Sequence, residues 1–331
     1  MPRLACVTLV RNEIDILPAF LQHVAALFDD VVIMDHNSVD GTHETLCVAA
    51  LEKPDWHIWR VTDPGYFQEA YCTFAMRWLF QNTAAEAVVF LDADEFIDIH
   101  TRKMLDAVVW TCCEQAFVGS LPWRNCLPEA PGAKVYHGCQ HWRPSGKPQG
   151  SKIIITRSVW NKYPQIRPGL GNHNAEIGTN AVPASPVGRL LHFPLRSVAQ
   201  MKQKLVLGAL SILAREDDIP RGRHHWFEAL RRLAAEGLDE ADMLGMAASY
   251  SEADAAFFRL PPNELAQCGF TKAALMVANE PLRIMVDVPE SDPWEMVAAA
   301  IAEWRPAQRR IVAPRDVKLE LNANRLVVHH G

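Results

Sequence analysis

Two aspartates, Asp92 and Asp94, follow an apolar run, and their type and spacing point directly to chemistry. Residues 88–91 read Val-Val-Phe-Leu, and a run without polar alternation is typical of a strand buried on both faces of a parallel sheet. The acids therefore follow the carboxyl end of that strand, where open α/β sheets bind ligands. Because carboxylate oxygens suit hard divalent cations, the pattern predicts a metal site at these aspartates. The alternative is a solvated turn that only ends the strand.

Two earlier apolar runs also end in polar residues. Residues 4–10 lead into Arg11-Asn12-Glu13, and residues 31–34 lead into Asp35 and a turn-forming segment. A helical pattern over residues 14–28 separates the two runs. Strands that alternate with helices form parallel βαβ units, so we expect the three polar tips to lie along one edge of the same sheet.

Four motifs in this order resemble those of family 2-like glycosyltransferases with the GT-A fold. They are TLVRNE at 8–13, LPAFLQH at 17–23, DHNSVDGT at 35–42 and LDADEF at 91–96. The resemblance implies an α/β fold with a mostly parallel, Rossmann-like nucleotide-binding sheet flanked by helices. It also implies a nucleotide-sugar donor substrate and a divalent metal cofactor, Mn²⁺ or Mg²⁺, through which the Asp-x-Asp pair binds the donor diphosphate.

The resemblance also implies roles for single residues. Asp94 is the expected direct metal ligand, and Asp92 is expected to hold metal-bound water or donor hydroxyl groups. Asp35 would accept a hydrogen bond from the base or ribose, and the alternative for Asp35 is an Asx turn or a helix cap. The residues expected at the nucleotide sugar are Thr8, Val10, Arg11, Asn12, Glu13, Asp35, Asn37, Asp92, Ala93 and Lys152.

His192 is a candidate third metal ligand, because GT-A enzymes often supply a histidine after the sheet. Its neighbours are apolar, and the alternative is a hydrogen-bonded core histidine. Three basic residues follow that could face the diphosphate, although a helix at 198–214 would place some of them in solvent: Arg196, Lys202 and Lys204.

The candidates for catalytic base or acceptor orientation are His173, Glu176 and Glu95, with Glu129 as a further alternative. His173 follows the strand that bears Lys152, an order that again resembles the related transferases. An inverting transfer needs a base within hydrogen-bond reach of the acceptor hydroxyl. The tryptophans expected to stack on sugar rings, or alternatively to fill the core, are Trp123 and Trp142.

The composition of the 331 residues fits a soluble enzyme. A formal net charge of -6 gives no general attraction to nucleic acid or anionic lipid, and no apolar run approaches the ~18 residues of a membrane span. The sequence begins without a signal-peptide pattern, and its 8 cysteines are scattered, so we expect a cytoplasmic protein with reduced thiols. The His and Cys residues at 126–141 match no common zinc module.

The predicted domains are a GT-A glycosyltransferase domain at 1–197, with a nucleotide-sugar half at about 1–100 and an acceptor half at about 101–197, and a mainly helical region at 198–331. The amphipathic stretches expected to form helices in the second region are 197–214, 225–236, 240–250, 252–258 and 293–304. Residues 317–321 alternate like a strand.

The sequence thus predicts a metal-dependent glycosyltransferase that moves a sugar from a nucleotide-sugar donor to a hydroxyl acceptor such as a glycan. Inversion, a role in polysaccharide or glycoconjugate synthesis and association with polysaccharide assembly machinery are expected from the resemblance. One alternative is a metal-dependent phosphohydrolase or nucleotidyltransferase, although the latter carry a Gly-rich loop where this chain has Arg11-Asn12-Glu13. The other is a non-catalytic scaffold that binds nucleotide or glycan, against which the intact Asp92 and Asp94 argue.

Overall fold

A 12-stranded mixed sheet forms the centre of the fold, in the order β16-β17-β3-β2-β1-β4-β9-β6-β14-β5 with β8 and β13 paired to β6. The computed structural model describes residues 1–99, 101–126, 135–137, 141–142, 150–213, 237, 239, 241–242, 283–285 and 318–329. The strands are β1 (Leu4–Val10), β2 (Asp30–Asp35), β3 (Trp56–Val61), β4 (Ala87–Phe90), β5 (Glu95–Ile97), β6 (Val118–Asn125), β7 (Val135–His137), β8 (His141–Trp142), β9 (Ser151–Thr156), β10 (Arg167–Pro168), β11 (Ala175–Ile177), β12 (Asn180–Val182), β13 (Ala184–Pro186), β14 (Leu190–His192), β15 (Arg283–Met285), β16 (Lys318–Asn322) and β17 (Arg325–His329).

The helices lie on both faces of this sheet. They are α1 (Leu17–Leu27), α2 (Thr42–Leu51), α3 (Gln68–Asn82), α4 (Arg102–Gln115), α5 (Arg157–Lys162) and α6 (Val198–Leu213), with a 3₁₀ turn at Leu170–Asn172. Apolar residues of α1, α2 and α4 pack on one face, and those of α3 and α5 pack on the other. Helix α1 is shorter than the pattern at 14–28 because residues 13–16 form a turn, in which the amides of Ile16 and Leu17 bond to the Glu13 carbonyl.

The middle of the sheet is parallel, as the sequence predicts. Strand β1 pairs in parallel with β2 and with β4, and β2 pairs in parallel with β3. All seven residues of β1 and all four of β4 are buried, which explains their continuous apolar sequence. The prediction of a mostly parallel α/β sheet flanked by helices is therefore confirmed, and the tips of β1, β2 and β4 share one edge.

Pairings of both kinds extend the sheet on the other side of β4. Strand β9 lies antiparallel between β4 and β6, and β14 pairs in parallel with β6 and antiparallel with β5. This arrangement brings His192, the last residue of β14, opposite Glu95, the first residue of β5. Smaller sheets are formed by β10-β11-β12 and by β7-β15.

The strand-like segment at 317–321 is confirmed as β16, and β17 joins it to the large sheet by pairing with β3. Helix α6 agrees with the pattern at 197–214. The predicted helices at 225–236, 252–258 and 293–304, and nearly all of the one at 240–250, lie outside the described residues, and the domain boundary at 197 stays a prediction. In the part of the chain that the structure describes, no helix combines the length and hydrophobicity needed to cross a membrane.

Candidate active site

The Asp-x-Asp loop connects β4 to β5 at the carboxyl edge of the parallel strands. Ala93 is buried beneath the loop, and the Glu95 amide bonds to the Asp92 carbonyl at 3.0 Å, so the two aspartates lie on a tight turn. The Asp94 carbonyl accepts the Phe193 amide at 2.8 Å. This bond fixes the loop against the residue that follows β14.

Asp92 is held by Lys152, which lies on β9. The Lys152 ammonium is fully buried and contacts Asp92 Oδ2 at 2.7 Å, the Gly171 carbonyl at 2.8 Å and Glu95 Oε2 at 3.5 Å. Burial alone would lower the pKa of Lys152, but the charges of Asp92 and Glu95 outweigh it and the pKa lies above its usual range. Lys152 is therefore a fixed cation beside Asp92, whose side chain stays 34% exposed.

Asp94 is buried and faces three basic side chains. Its Oδ2 atom lies 2.7 Å from Lys204 Nζ, 3.7 Å from His192 Nε2 and 3.7 Å from Arg196 Nη1. Burial raises the pKa of the Asp94 carboxyl, but the charges of Lys204 and Arg196 outweigh burial, so the pKa falls below its usual range. Asp94 is an ionised carboxylate in a low-dielectric surrounding, where its interaction with a cation is strong.

His192 lies beside Asp94 as a neutral imidazole. Burial lowers the pKa of His192 to about 4, although the Asp94 charge acts in the opposite direction. The ring also lies 5.1 Å from the Trp123 ring. A neutral imidazole has a free nitrogen lone pair, so His192 has the protonation state that metal binding requires.

Arg196 connects the first-strand tip with the Asp-x-Asp loop. Its fully buried guanidinium bonds to both oxygens of Asp15, at 2.6 and 2.9 Å, and it also bonds to Glu13 Oε2 and, at 3.0 Å, to the Phe193 carbonyl. Burial raises the pKa of Glu13 to about 7, against the opposing charge of Arg196. This network holds the segment after β1 against the segment before α6, next to Asp94.

Glu95, a predicted base candidate, points inward. Its carboxylate is buried, accepts the Asp92 amide at 2.9 Å and faces Lys152. Burial raises the pKa of Glu95, and the charge of Lys152 only partly offsets that shift. The described contacts of Glu95 thus stabilise the loop from beneath.

The residues predicted around the nucleotide surround the tips of β1 and β2. The side chains of Thr8 and Val10 are buried in the sheet, and the Arg11 guanidinium bonds to Ser211 Oγ of α6 at 2.6 Å. Asn12 has a φ of 54°, a left-handed conformation that asparagine tolerates, and its Oδ1 accepts the Val39 amide at 2.8 Å. These bonds join the two tips into one wall.

Asp35 ends β2 as a fully buried carboxylate. Its Oδ1 closes a turn by accepting the Ser38 amide, three residues along the chain, at 3.1 Å, and its Oδ2 lies 3.1 Å from His43 Nδ1 and 3.8 Å from Arg60 Nη1. Asn37 has a φ of 56°, and its Oδ1 accepts a bond from Arg60 at 3.2 Å. Asp35 is thus part of the turn, and its predicted bond to a base or ribose stays a prediction.

Trp123 lies between His173, a candidate on the acceptor side, and His192, which lies beside Asp94. Its ring lies 4.9 Å from that of His173. A methyl group on Gly150 would overlap the Trp123 indole, so this glycine permits the close approach. The exposed His173 donates a hydrogen bond from Nδ1 to the Ser151 carbonyl at 3.0 Å.

Glu176, on β11, lies in the small three-stranded sheet. Its Oε2 pairs with Arg167 at 2.8 Å and its Oε1 accepts a bond from Asn174 at 3.4 Å. The structure therefore brings Asp92, Asp94, Lys152 and His192 together, with His173 reached through Trp123. Glu129 and the side chain of Trp142 lie outside the described residues.

A divalent cation fits this donor set through Asp94 and His192. Within the described ranges, no three His, Cys, Asp or Glu residues lie close enough together to hold a metal. Carboxylates suit Mn²⁺ and Mg²⁺, and a cation of this kind commonly takes one or two protein ligands together with substrate phosphates. Asp94 and His192 supply such a pair, whereas Asp92 stays bound to Lys152.

Several contributors were not predicted from the sequence. Asp15 binds Arg196, and the Gly171 carbonyl and Gln68 complete the surroundings of Lys152 and Asp92. A usable signal was present for Asp15, because it stands two residues after Glu13 just as Asp94 follows Asp92. A backbone carbonyl such as that of Gly171 leaves no sequence signal.

Comparison with known proteins adds a distant structural match. No protein-family model matches the chain, and no curated protein matches it. The solved structure of the mannosyltransferase PcManGT from Pyrobaculum calidifontis, in complex with GDP-Man and Mn²⁺, is similar at 16% identity over 92% of this chain and 87% of that chain, with a TM-score of 0.36. A similarity of this degree assigns neither family nor function to the chain.

Proposed function

We propose that this protein is a metal-dependent glycosyltransferase that moves a sugar from a nucleotide-sugar donor to a hydroxyl acceptor. One observation carries the proposal: the ionised Asp94 lies at the carboxyl edge of the parallel strands with the neutral His192 and the Lys204 ammonium beside it. A carboxylate and an imidazole suit a divalent cation, and an ammonium suits a phosphate. This combination matches a diphosphate leaving group.

Asp94 and His192 would hold the cation. With Mn²⁺ or Mg²⁺ held there, the site would supply positive charge to offset the charge of a diphosphate leaving group. Lys152 keeps Asp92 in place, so the partly exposed Asp92 oxygen is available to donor hydroxyl groups. Arg196 holds Asp94 and Glu13 in position without facing solvent.

The β1 and β2 tips form the proposed nucleotide wall. Asn12 is held by bonds between the two tips and Asn37 by a bond from Arg60 of β3, so a nucleotide would meet a surface that needs little reorganisation. Arg11, at the β1 tip, is bonded to Ser211 of α6 and adds a positive charge to this wall.

The acceptor would bind on the Trp123 and His173 side. Trp123 offers a ring face, and His173 is an exposed base candidate close to that ring. Glu176 is paired with Arg167 in the small sheet, and we assign it to acceptor orientation. Inversion, a role in polysaccharide or glycoconjugate synthesis with its assembly machinery, and cytoplasmic location remain expectations that come from the sequence.

The test measures binding and turnover in the same protein. A thermal-shift panel of nucleoside diphosphates and nucleotide sugars, with and without Mn²⁺, identifies the donor, because a ligand that binds only the folded state raises the Tm. Asp94→Asn should then lower donor turnover at least ~100-fold, because a charge that stabilises the leaving group is lost. Asp55→Asn, at an exposed aspartate, serves as the matched control and should keep full turnover.

Three results would contradict the proposal. They are the absence of stabilisation by any nucleotide, unchanged turnover in Asp94→Asn, and phosphate release from sugar phosphates without use of a nucleotide sugar. The last result would favour the phosphohydrolase alternative.

A further inference from the structure

The three cations around the acidic pair differ in their freedom to move. Lys152 and Arg196 are fully buried, and each is held by several oxygens. The Lys204 side chain is 32% exposed, and among the described residues its one hydrogen bond goes to Asp94. Lys204 is therefore the cation that can leave without breaking other bonds.

Lys204 also occupies the oxygen that a metal would use. Its ammonium lies 2.7 Å from Asp94 Oδ2, and His192 Nε2 lies 3.7 Å from the same atom. A divalent cation between Asp94 and His192 would stand close to that ammonium. Because like charges repel strongly in a site of low dielectric, the two cations compete for one carboxylate oxygen.

We propose that Lys204 is an exchangeable counter-ion of Asp94, which neutralises the carboxylate while no divalent cation is bound and moves to the donor diphosphate when one binds. This inference rests on the proposed function, because the second half of the exchange requires a diphosphate in the site. Lys204 is then a positioning residue for the diphosphate, and in the site without a cation it neutralises Asp94.

The energetics of burial give a reason for the first half of the exchange. A buried carboxylate without a partner is strongly destabilising, and Asp94 would lose its closest partner if Lys204 were absent. Helix α6 itself stays in place, since Met201 and Leu205 on either side of Lys204 are buried. The flexible lysine stem can then move its ammonium while the backbone remains fixed.

The second half of the exchange couples metal binding to diphosphate binding. A cation that binds Asp94 releases the ammonium, and a diphosphate gives that ammonium a new partner. Each ligand therefore increases the affinity for the other by the same factor, as linkage requires. A lysine bound to Asp94 alone, with no exchange, would produce no such coupling through residue 204.

The decisive variant is Lys204→Met, with Lys53→Met, at an exposed lysine, as the matched control. Mn²⁺ alone is titrated against each protein, and free Mn²⁺ is measured by electron paramagnetic resonance. We expect Lys204→Met to bind Mn²⁺ roughly tenfold more tightly than the natural protein, the equivalent of one lost charge-assisted hydrogen bond. Lys53→Met should bind Mn²⁺ like the natural protein, because Lys53 is an exposed residue just after α2. Equal or weaker Mn²⁺ binding in Lys204→Met overturns the inference.

The diphosphate half is tested with GDP and UDP, each in the presence of saturating Mn²⁺. We expect Lys204→Met to bind the recognised nucleotide roughly tenfold more weakly. If no nucleoside diphosphate binds the natural protein, the proposed function fails, whereas the Mn²⁺ titration still decides whether Lys204 competes for Asp94.

A measurement on the natural protein avoids any dependence on the folding of a variant. Acetylation of lysines by acetic anhydride is followed by mass spectrometry, with and without Mn²⁺. Lys204 should be acetylated several-fold faster when Mn²⁺ is present, because its ammonium has left Asp94, and the rate at the exposed Lys53 should not change. A rate at Lys204 that is unaffected or lowered by Mn²⁺ contradicts the exchange.

Discussion

Substitution of Lys152 by methionine tests whether the Asp-x-Asp loop depends on a buried cation. Removing one partner of a buried ion pair costs about 3 to 5 kcal/mol. Here the side chain of Asp92 is 34% exposed, so water screens part of its charge, and Glu95 can take up a proton. We therefore expect Lys152→Met to lower the free energy of unfolding by about 3 kcal/mol at pH 8.

The size of this loss should depend on pH. Burial already raises the pKa of Glu95, and the charge of Lys152 is the largest influence that lowers it, so the pKa rises further in the variant. A carboxyl group with a raised pKa in the folded state contributes stability below its unfolded pKa, and that contribution is lost as pH rises through the folded pKa. The loss is therefore smaller at pH 5 than at pH 8, by about 1.4 kcal/mol for each unit of additional pKa shift.

Urea unfolding followed by tryptophan fluorescence, at pH 5 and pH 8, measures both quantities. Lys53→Met, at an exposed lysine, is the matched control and should change the free energy of unfolding by no more than about 0.5 kcal/mol. If Lys152→Met has the same free energy of unfolding as the natural protein at pH 8, the loop does not depend on the buried cation. An equal loss at both pH values would refute the part that concerns Glu95.

Two further substitutions test the supports around the site. Arg196→Lys should lower the free energy of unfolding by about 2 to 4 kcal/mol, because lysine cannot form both bonds to Asp15. Arg3 is partly exposed, so Arg3→Lys should lower the free energy of unfolding by less than about 1 kcal/mol. Urea unfolding compares the two variants, and equal losses would contradict the role of burial. Gly150→Ala should displace the Trp123 indole, weaken the near-ultraviolet circular dichroism and destabilise the fold by about 1 to 3 kcal/mol, and an unchanged spectrum would show that the ring lies elsewhere.

The features that the sequence predicts correctly are those with a local physical cause. The apolar runs of β1 and β4 predict strands buried on both faces, and the polar residues after them predict where the sheet edge lies. The proximity of Asp94 and His192 could be expected only through the resemblance, because nothing in their spacing places β14 beside β5. The structure supplies that pairing.

The sequence could not predict which basic residue pairs with which acid. Lys152 contacts Asp92 from an antiparallel strand, Lys204 contacts Asp94 from α6, and Arg196 bonds to Asp15 over a separation of 181 residues along the chain. Each pair joins residues that are distant in sequence and depends on how helices and strands pack. Periodicity describes one element at a time, so it identifies the basic residues without assigning their acids.

The pairing of β17 with β3 has a consequence for how the chain matures. Arg325 and Leu326 of β17 pair with Arg60 and Val61 at the outer side of β3, yet they follow it by most of the length of the polypeptide. Until that late segment arrives, β3 presents unsatisfied amide and carbonyl groups, a template for aggregation between molecules. A protein shortened before residue 318 should therefore form an aggregation-prone intermediate. In the natural protein, closure of a very long loop should be the slow step in forming this edge of the sheet.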